Sequence, residues 1–240
     1  MNFYDQLTDR YDVIFPHQLQ KEKFIEQQLS SENNKILDVG CATGSMAASL
    51  ASRGYSVSAI DMNKNLVTFA GKKAREKHAD VDFRVMNMLH IGNNFKPKEF
   101  NLVYCIGNTL PHLPDLESIM HFLSQAYSLL KPPGKILIQM VNFDKMLTKK
   151  IRHFPVIEKE ELIFKREYEY INDSINFKAE LQDKITGKIY SASTRLLPVS
   201  ADEIKKIASK VNFKDIQLFG DFSGATFDLN SPAIILLAKN

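Results

Sequence analysis

The feature that most constrains the fold is a strand, a turn of small residues and a helix in direct succession. The letters ILDVGCATG occupy residues 36–44, and the apolar run before them reads as a buried strand. Gly40 and Ala42 let a ligand approach the backbone, and Gly44 lets the helix begin close to the strand. The GxGxxG spacing of pyrophosphate-binding turns is absent. This turn therefore predicts a site for a nucleotide-like molecule that is not held by its phosphates.

Short β-branched runs alternate with longer amphipathic runs from residue 34 to residue 141. Strands separated by helix-length connections indicate right-handed crossovers and a parallel sheet covered on both faces. Period-2 segments, typical of an antiparallel meander, then interrupt this pattern before a last helix and two strands. The predicted strands of the sheet are 35–39, 56–60, 81–85, 100–106, 135–141, 215–219 and 233–238, and those of the meander are 161–170, 175–181 and 188–197.

The predicted fold class is α/β, a Rossmann-like, doubly wound and mostly parallel seven-stranded sheet with an inserted antiparallel β-meander. Because the meander leaves from the carboxyl end of a central strand, where open α/β sheets bind ligands, we interpret it as a lid or substrate wall. We expect three regions: an N-terminal arm with the Rossmann-like core (1–142), the insertion (143–199) and a C-terminal helix with two strands that complete the core (200–240).

Three polar or soft side chains follow the next two strands. Asp61 lies about 20 residues after the glycine turn, the spacing at which dinucleotide folds place the acid that binds ribose. The alternative is an N-cap for the helix that follows. Met62 suits contact with an adenine face, and Asn87, within the run Met86-Asn87-Met88, has an oxygen that can accept an adenine amino proton.

These motifs resemble the class I methyltransferases that use S-adenosylmethionine (SAM), over essentially the whole chain. The matching stretches are ILDVGCATG, AIDMN, VMNMLHI, FNLVYCIGNTLPHL and LLKPPGKILIQ. The family commonly has glycine where Ala42 stands and aspartate where Asn87 stands. The resemblance implies SAM as cofactor, with Gly40, Cys41, Ala42, Gly44, Asp61, Met62, Asn87 and Met88 around it.

Within that family the chain is most similar to the branch of glycine and sarcosine N-methyltransferases. Tyr4 and Tyr11 resemble an N-terminal arm whose tyrosines fold over the methionine end of SAM, although plain packing of a terminal helix would explain them too. The run IGNTLPHL resembles the acceptor-side loop, which implies that Ile106 lies at the cofactor and Asn108 at the acceptor.

Three further residues are candidates for binding the methyl acceptor. His112 can take a proton from the acceptor or simply face solvent. Strand alternation puts Arg166 on one face with Phe164, Tyr168 and Tyr170, which makes it a candidate anchor for a carboxylate; packing against the core or a second subunit is the alternative. Asp221 can hold a cationic acceptor or cap a turn.

Composition limits the other function classes. The 31 basic and 28 acidic residues are scattered, which makes a nucleic-acid partner unlikely, and no run approaches the roughly 20 apolar residues of a membrane span. Cys41 and Cys105 match no zinc spacing, so no metal is expected. Without a basic leader the chain is expected in the cytoplasm, as a monomer or homodimer.

The expected activity is transfer of the SAM methyl group to a nitrogen or oxygen of a small molecule. A nucleic-acid methyltransferase is an alternative, but the fourth strand ends in CIGN rather than a base-flipping NPPY or DPPY motif. A nicotinamide oxidoreductase would share the first strand and Asp61 but needs the missing third glycine. A non-catalytic SAM-binding module stays open.

Overall fold

Two β-sheets make up the strand content of the computed structural model, which describes residues 7–29 and 34–240. The strands, in chain order, are β1 Lys35–Val39, β2 Ser56–Asp61, β3 Val81–Val85, β4 Phe100–Cys105, β5 Leu130–Val141, β6 Ile157–Glu158, β7 Leu162–Ile171, β8 Ser174–Asp183, β9 Ile189–Leu196, β10 Lys214–Phe219 and β11 Ala233–Lys239. The larger sheet has the order β10-β11-β5-β4-β1-β2-β3, and the smaller one β6-β7-β8-β9. Strands β1 to β5 pair in parallel, and β11 is antiparallel to both of its neighbours.

Helices connect the strands of the larger sheet as the amphipathic runs predict. Ser200 caps the last long helix with a capping box in which its side chain and that of Glu203 each accept from the other's backbone N–H. The helices are α1 Tyr11–Ile14, α2 Leu19–Glu26, α3 Ser45–Ser52, α4 Lys64–Glu76, α5 Ile91–Asn94, α6 Leu116–Leu129, α7 Phe143–Lys149 and α8 Ala201–Lys210, and 3-10 turns occur at Thr8–Arg10, Met88–His90 and Leu110–His112.

The larger sheet is buried on both faces, as parallel sheets generally are. In β1, Leu37 and Val39 belong to the apolar cluster that contains residues of α6 and α8. Ile36 precedes Leu37 and lies on the opposite face of the strand, where it packs into a second cluster with Phe24 of α2 and Leu50 of α3. The central strands therefore have little freedom to shift, and their carboxyl ends form a fixed edge on which a site can be built.

The smaller sheet is the meander, here defined as β6 to β9. Its long strands pair antiparallel, with Tyr168 opposite Phe177 in the register of β7 and β8. Part of its inner face packs against the arm, here defined as residues 7–15, through the buried side chains of Leu7 and Ile14. The arm and the meander thus lie together, although about 150 residues separate them in the sequence.

The predicted fold class is confirmed, and most element ends agree with the predictions to within one or two residues. The difference is β5, which begins at Leu130 rather than Lys135, because Leu130 already pairs with Phe100 before a register shift. The meander also has the short extra strand β6. The division into regions 1–142, 143–199 and 200–240 stays a prediction. In the described part of the chain, no helix is both long enough and apolar enough to cross a membrane.

Candidate functional site

A cavity of about 510 Å³ lies at the carboxyl edge of the larger sheet, between the arm, the glycine turn and the meander. Its walls include the arm, the turn after β1, the loop after β4, the end of β5 and the inner face of the meander. Eight of the predicted site residues line it: Tyr11, Gly40, Cys41, Ala42, Ile106, Asn108, His112 and Arg166. Tyr4, predicted to cover the cofactor, lies outside the described residues.

The glycine turn keeps its shape because two of its positions exclude a side chain. Gly40 has φ +82°, and a Cβ there would lie 2.5 Å from Cγ2 of Thr109. Gly44 has φ +69°, and its Cβ would lie 2.6 Å from the Phe83 ring, which explains why α3 can begin so close to the sheet. Gly44 therefore allows the turn to pack closely against Phe83 and does not line the cavity. The turn exposes backbone toward the cavity, as close approach of a ligand requires.

Asp61 lies at the end of β2 and fastens the glycine turn. Its carboxylate accepts from the backbone N–H of Ala42 at 3.0 Å and of Asn63 at 2.9 Å. Asn63 is the residue that caps α4, since its side chain accepts from two amides of the first turn. Burial raises the pKa of Asp61, although these hydrogen bonds oppose the rise. A carboxylate has about four acceptor positions, so these contacts leave acceptor capacity for a ribose hydroxyl, and that role stays a prediction.

Asp38 is a site residue that the sequence reasoning missed. It is a penultimate residue of β1, only 2% exposed, and it forms part of the cavity wall. Burial raises the pKa of Asp38 to about 7; Tyr104, opposite it on β4, lowers this pKa, and the charge of Asp61 raises it. A buried carboxyl beside a cavity favours a cationic ligand. The available signal was a charged residue inside the otherwise apolar strand KILDV.

The predicted adenine contacts lie on the outer surface beside β2 and β3, outside the cavity wall. Met62 is 71% exposed and Met88 is half-buried. The Asn87 Oδ1 accepts from the Leu89 N–H at 2.9 Å and caps a 3-10 turn. An amide oxygen has a second acceptor position, so the contact of Asn87 with an adenine amino group stays a prediction.

The structure does not bring Asp221 to the cavity. Its carboxylate accepts from the backbone N–H of Ser223 at 2.7 Å and from the hydroxyl of the same residue at 2.5 Å. These hydrogen bonds lower the pKa of Asp221. The alternative of turn capping agrees with these hydrogen bonds, and the predicted contact with the methyl acceptor stays a prediction that the cavity lining does not support.

A reciprocal pair of side-chain contacts joins the loop after β4 to β5. Oε1 of Gln139 accepts from the N–H of Gly107 at 2.7 Å, and Oδ1 of Asn108 accepts from the N–H of Val141 at 2.9 Å. Both side chains also line the cavity. Since their oxygens are engaged, the groups they offer to a ligand are amide donors. Gln139 was missed, although a polar residue inside ILIQM was a signal of the same kind as Asp38.

The two cysteines end neighbouring strands, and both are buried. Burial is the largest cause that raises the pKa of the Cys41 and Cys105 thiols, and the charge of Asp38 raises both further. The thiolate is the nucleophilic form of cysteine, so neither side chain is equipped for covalent catalysis.

Comparisons with known proteins agree with this geometry. A family model described as a methyltransferase domain matches residues 36–134. A glycine/sarcosine N-methyltransferase of Aphanothece halophytica is 25% identical over 204 residues, which cover 84% of this chain and 74% of the relative. A ubiquinone biosynthesis O-methyltransferase of Azotobacter vinelandii is 31% identical over 119 residues, about half of either chain.

Solved structures share the fold. A SAM-dependent methyltransferase from Clostridium acetobutylicum superposes with a TM-score of 0.82 at 16% identity, over 99% of each chain. A SAM-bound amino pentose methyltransferase from Micromonospora echinaspora gives 0.64 at 13% identity, over 100% of this chain and 92% of that one.

SAM fits the residues present at this edge of the sheet. The ligand has a sulfonium, an ammonium and two ribose hydroxyls, and the carboxyl groups of Asp12, Asp38 and Asp61 lie around the glycine turn that would receive it. The fold, the methyltransferase-domain match over residues 36–134 and the acidic surroundings thus support one assignment, a class I SAM-dependent methyltransferase.

Proposed function

We propose that this methyltransferase acts on a small molecule that presents a nitrogen or oxygen nucleophile and a carboxylate, and that Arg166 binds the carboxylate. The observation that carries the proposal is the incomplete set of partners of Arg166. Its Nη2 donates to the carbonyl of Pro155 at 3.1 Å, but Nε is buried and has no hydrogen-bond partner among the described residues. Arg166 forms no ion pair with any residue in the described ranges 7–29 and 34–240. Arg166 is half-buried, and a cation with a buried, unpaired Nε is stabilised by a counter-ion from a ligand.

The surroundings of Arg166 suit a small organic acid. Its guanidinium lies 5.3 Å from the Phe154 ring centroid and 5.8 Å from that of Phe164. Partial burial lowers the pKa of Arg166, which means that the charged guanidinium is less well solvated there than in water. A bound carboxylate would offset this loss of solvation. The cavity volume of about 510 Å³ lies in the range of small-molecule sites. The names of the similar proteins also point to small acceptors: glycine or sarcosine, a ubiquinone precursor pathway and an amino pentose.

The reaction then needs mainly alignment and a dry site. When bound, SAM supplies an electrophilic methyl group. Asp38 and the glycine turn would hold its methionine end, Tyr11 of the arm would exclude water, and Arg166 would orient the acceptor toward the methyl group. His112 is an exposed residue of the cavity wall, and partial desolvation lowers its pKa, so its ring is neutral near pH 7 and can accept the proton of a hydroxyl nucleophile. A neutral amine can react before it loses a proton.

Single-turnover transfer from labelled SAM tests this function. The acceptors are matched pairs of small amino and hydroxy acids and their amides, which differ only in the carboxylate, together with RNA. We expect product from the acids and little from the amides. Preferential methylation of the amides or of RNA would contradict the proposal.

Arg166→Ala tests the anchor itself, with Lys165→Ala as the matched control on the opposite face of β7. Lys165 is exposed and pairs with Glu180 at 3.0 Å. We expect Arg166→Ala to raise the acceptor KM about 10- to 100-fold, the scale of a hydrogen bond to a charged group, and to leave SAM affinity unchanged. If Arg166 instead holds the carboxylate of SAM, SAM affinity will fall. If it packs against the core or a subunit, the melting temperature or dimer mass will fall.

A further inference from the structure

The arm and the meander share an apolar cluster of their own. This cluster, here called the lid cluster, is separate from the two clusters that cover the larger sheet. Its buried members from the arm pack directly on those from β7 and β8. They are Leu7, Ile14, Leu162, Phe164, Ala179 and Leu181.

Two further contacts join the arm to the meander. The Phe15 ring meets the Phe164 ring edge-on, with centroids 5.7 Å apart. The Arg10 guanidinium forms an ion pair with the carboxylate of Asp183, a buried residue at the end of β8. Apolar and ionic contacts therefore join the arm to the meander, although the arm precedes the larger sheet in the sequence.

Asp12 connects this unit to the opposite wall of the cavity. Its Oδ1 accepts from the hydroxyl of Thr43 at 2.6 Å and from that of Ser45 at 2.9 Å, and its Oδ2 forms an ion pair with Lys73 of α4. Burial raises the pKa of Asp12, but Lys73 and the two hydroxyls outweigh this effect and lower it below its ordinary value. Both carboxylate oxygens are thus engaged in charge-assisted contacts.

The partners of Asp12 belong to the part of the molecule that receives the cofactor. Thr43 and Ser45 flank Gly44 in the glycine turn, and Asp12, Thr43 and Ser45 all line the cavity. The arm cannot move away from the turn unless the contacts of Asp12 break. The meander is a fixed support for the arm, because its residues Tyr168, Ile175 and Leu196 belong to the cluster that covers the larger sheet. Opening of the arm therefore also separates Leu7 and Ile14 from the meander.

We propose that Asp12 is a positioning residue for methyl transfer: its contacts with Thr43, Ser45 and Lys73 hold the arm closed over bound SAM, and they must open before the cofactor leaves. The arm is the moving segment, and the glycine turn with α4 is the surface on which it closes. This inference goes beyond the proposed function and does not depend on the identity of the acceptor.

The test measures SAM binding kinetics by stopped flow in Asp12→Asn. Loss of a charged partner should raise the dissociation rate about 10- to 100-fold, on the scale of hydrogen bonds to charged groups. The association rate should change much less, because the contact forms after entry. Amide hydrogen exchange gives a second readout: SAM should slow exchange in residues 7–15 of the unsubstituted protein and fail to do so in Asp12→Asn.

Two other variants make the result specific. Lys73→Met should raise the dissociation rate in the same direction, and the double variant should add little to Asp12→Asn, because both changes open one contact. Asp215→Asn, which removes an exposed ion pair with Lys239, should leave both rates unchanged. Lys73→Met carries the test alone if Asp12→Asn does not fold. Dissociation within twofold of the unsubstituted rate in the folded variants, or a lower melting temperature without a kinetic change, would overturn the proposal.

Discussion

Replacement of Asp38 by Asn should stabilise the SAM-free protein at alkaline pH and not at acid pH. The pKa of this carboxyl is raised from 3.8 to about 7, so the folded protein holds the proton more tightly than the unfolded chain does. Between about pH 4 and pH 7 the unfolded chain has released the proton and the folded protein has not. Stability therefore falls with rising pH across this window, and above it the full contribution is lost.

The size of the effect follows from the shift. About three pKa units at 1.36 kcal/mol each correspond to about 4 kcal/mol over the whole window. Between pH 5 and pH 8 about 3 kcal/mol of this is expressed. Any pH-independent cost of placing Asn in β1 cancels when the two proteins are compared at both pH values.

Urea unfolding of both proteins at pH 5, 6, 7 and 8 measures this difference. We expect the free energy of unfolding of Asp38→Asn, relative to the unsubstituted protein, to rise by about 3 kcal/mol from pH 5 to pH 8. SAM affinity should change in the opposite direction, because the ionised carboxylate attracts a cationic ligand. It should increase in the unsubstituted protein as pH rises through about 7, and Asp38→Asn should lose this pH dependence. Parallel stability curves for the two proteins would refute the reasoning.

Three other substitutions have expected outcomes. Asp61→Ala should weaken SAM by about 1.5–3 kcal/mol in calorimetry, because a charged acceptor for ribose hydroxyls is lost. Gly40→Ala should lower the free energy of unfolding by about 1–3 kcal/mol more than Gly54→Ala, since both glycines have positive φ but only the first has a close neighbour, Thr109. His112→Gln should lower kcat at least about 100-fold for a hydroxyl acceptor and much less for a neutral amine. The same variant should remove a rise in activity whose midpoint lies below the ordinary histidine pKa of 6.5, as the lowered pKa of His112 predicts.

The sequence predicted those features that depend on local pattern. Alternating and helical patterns placed every strand except the short β6, together with the longer helices that connect the strands of the larger sheet. The spacing of Ser200 and Glu203 is that of a capping box. Asp38 and Gln139 were not predicted as site residues, because each lies within an apolar strand. The cavity beside them forms only when the arm and the meander, which are distant in sequence, pack near this edge of the sheet. For Asn87 and Asp221 the sequence does not separate a ligand contact from a local structural role. Their oxygens bind backbone amides two residues away, a use that competes with ligands for the same side-chain types.

The place of β11 in the larger sheet has a consequence for synthesis on the ribosome. β11 pairs with β5 over seven residues, from Ala233 opposite Val141 to Lys239 opposite Lys135. Until β11 has been made, β5 is an open edge whose side chains include Ile136, Ile138 and Met140. Unpaired apolar edges attract the strands of other chains, so a nascent chain halted after the meander would be prone to aggregate. Completion of the sheet therefore waits for residue 239, whereas the strands that would receive the cofactor can pair soon after residue 105.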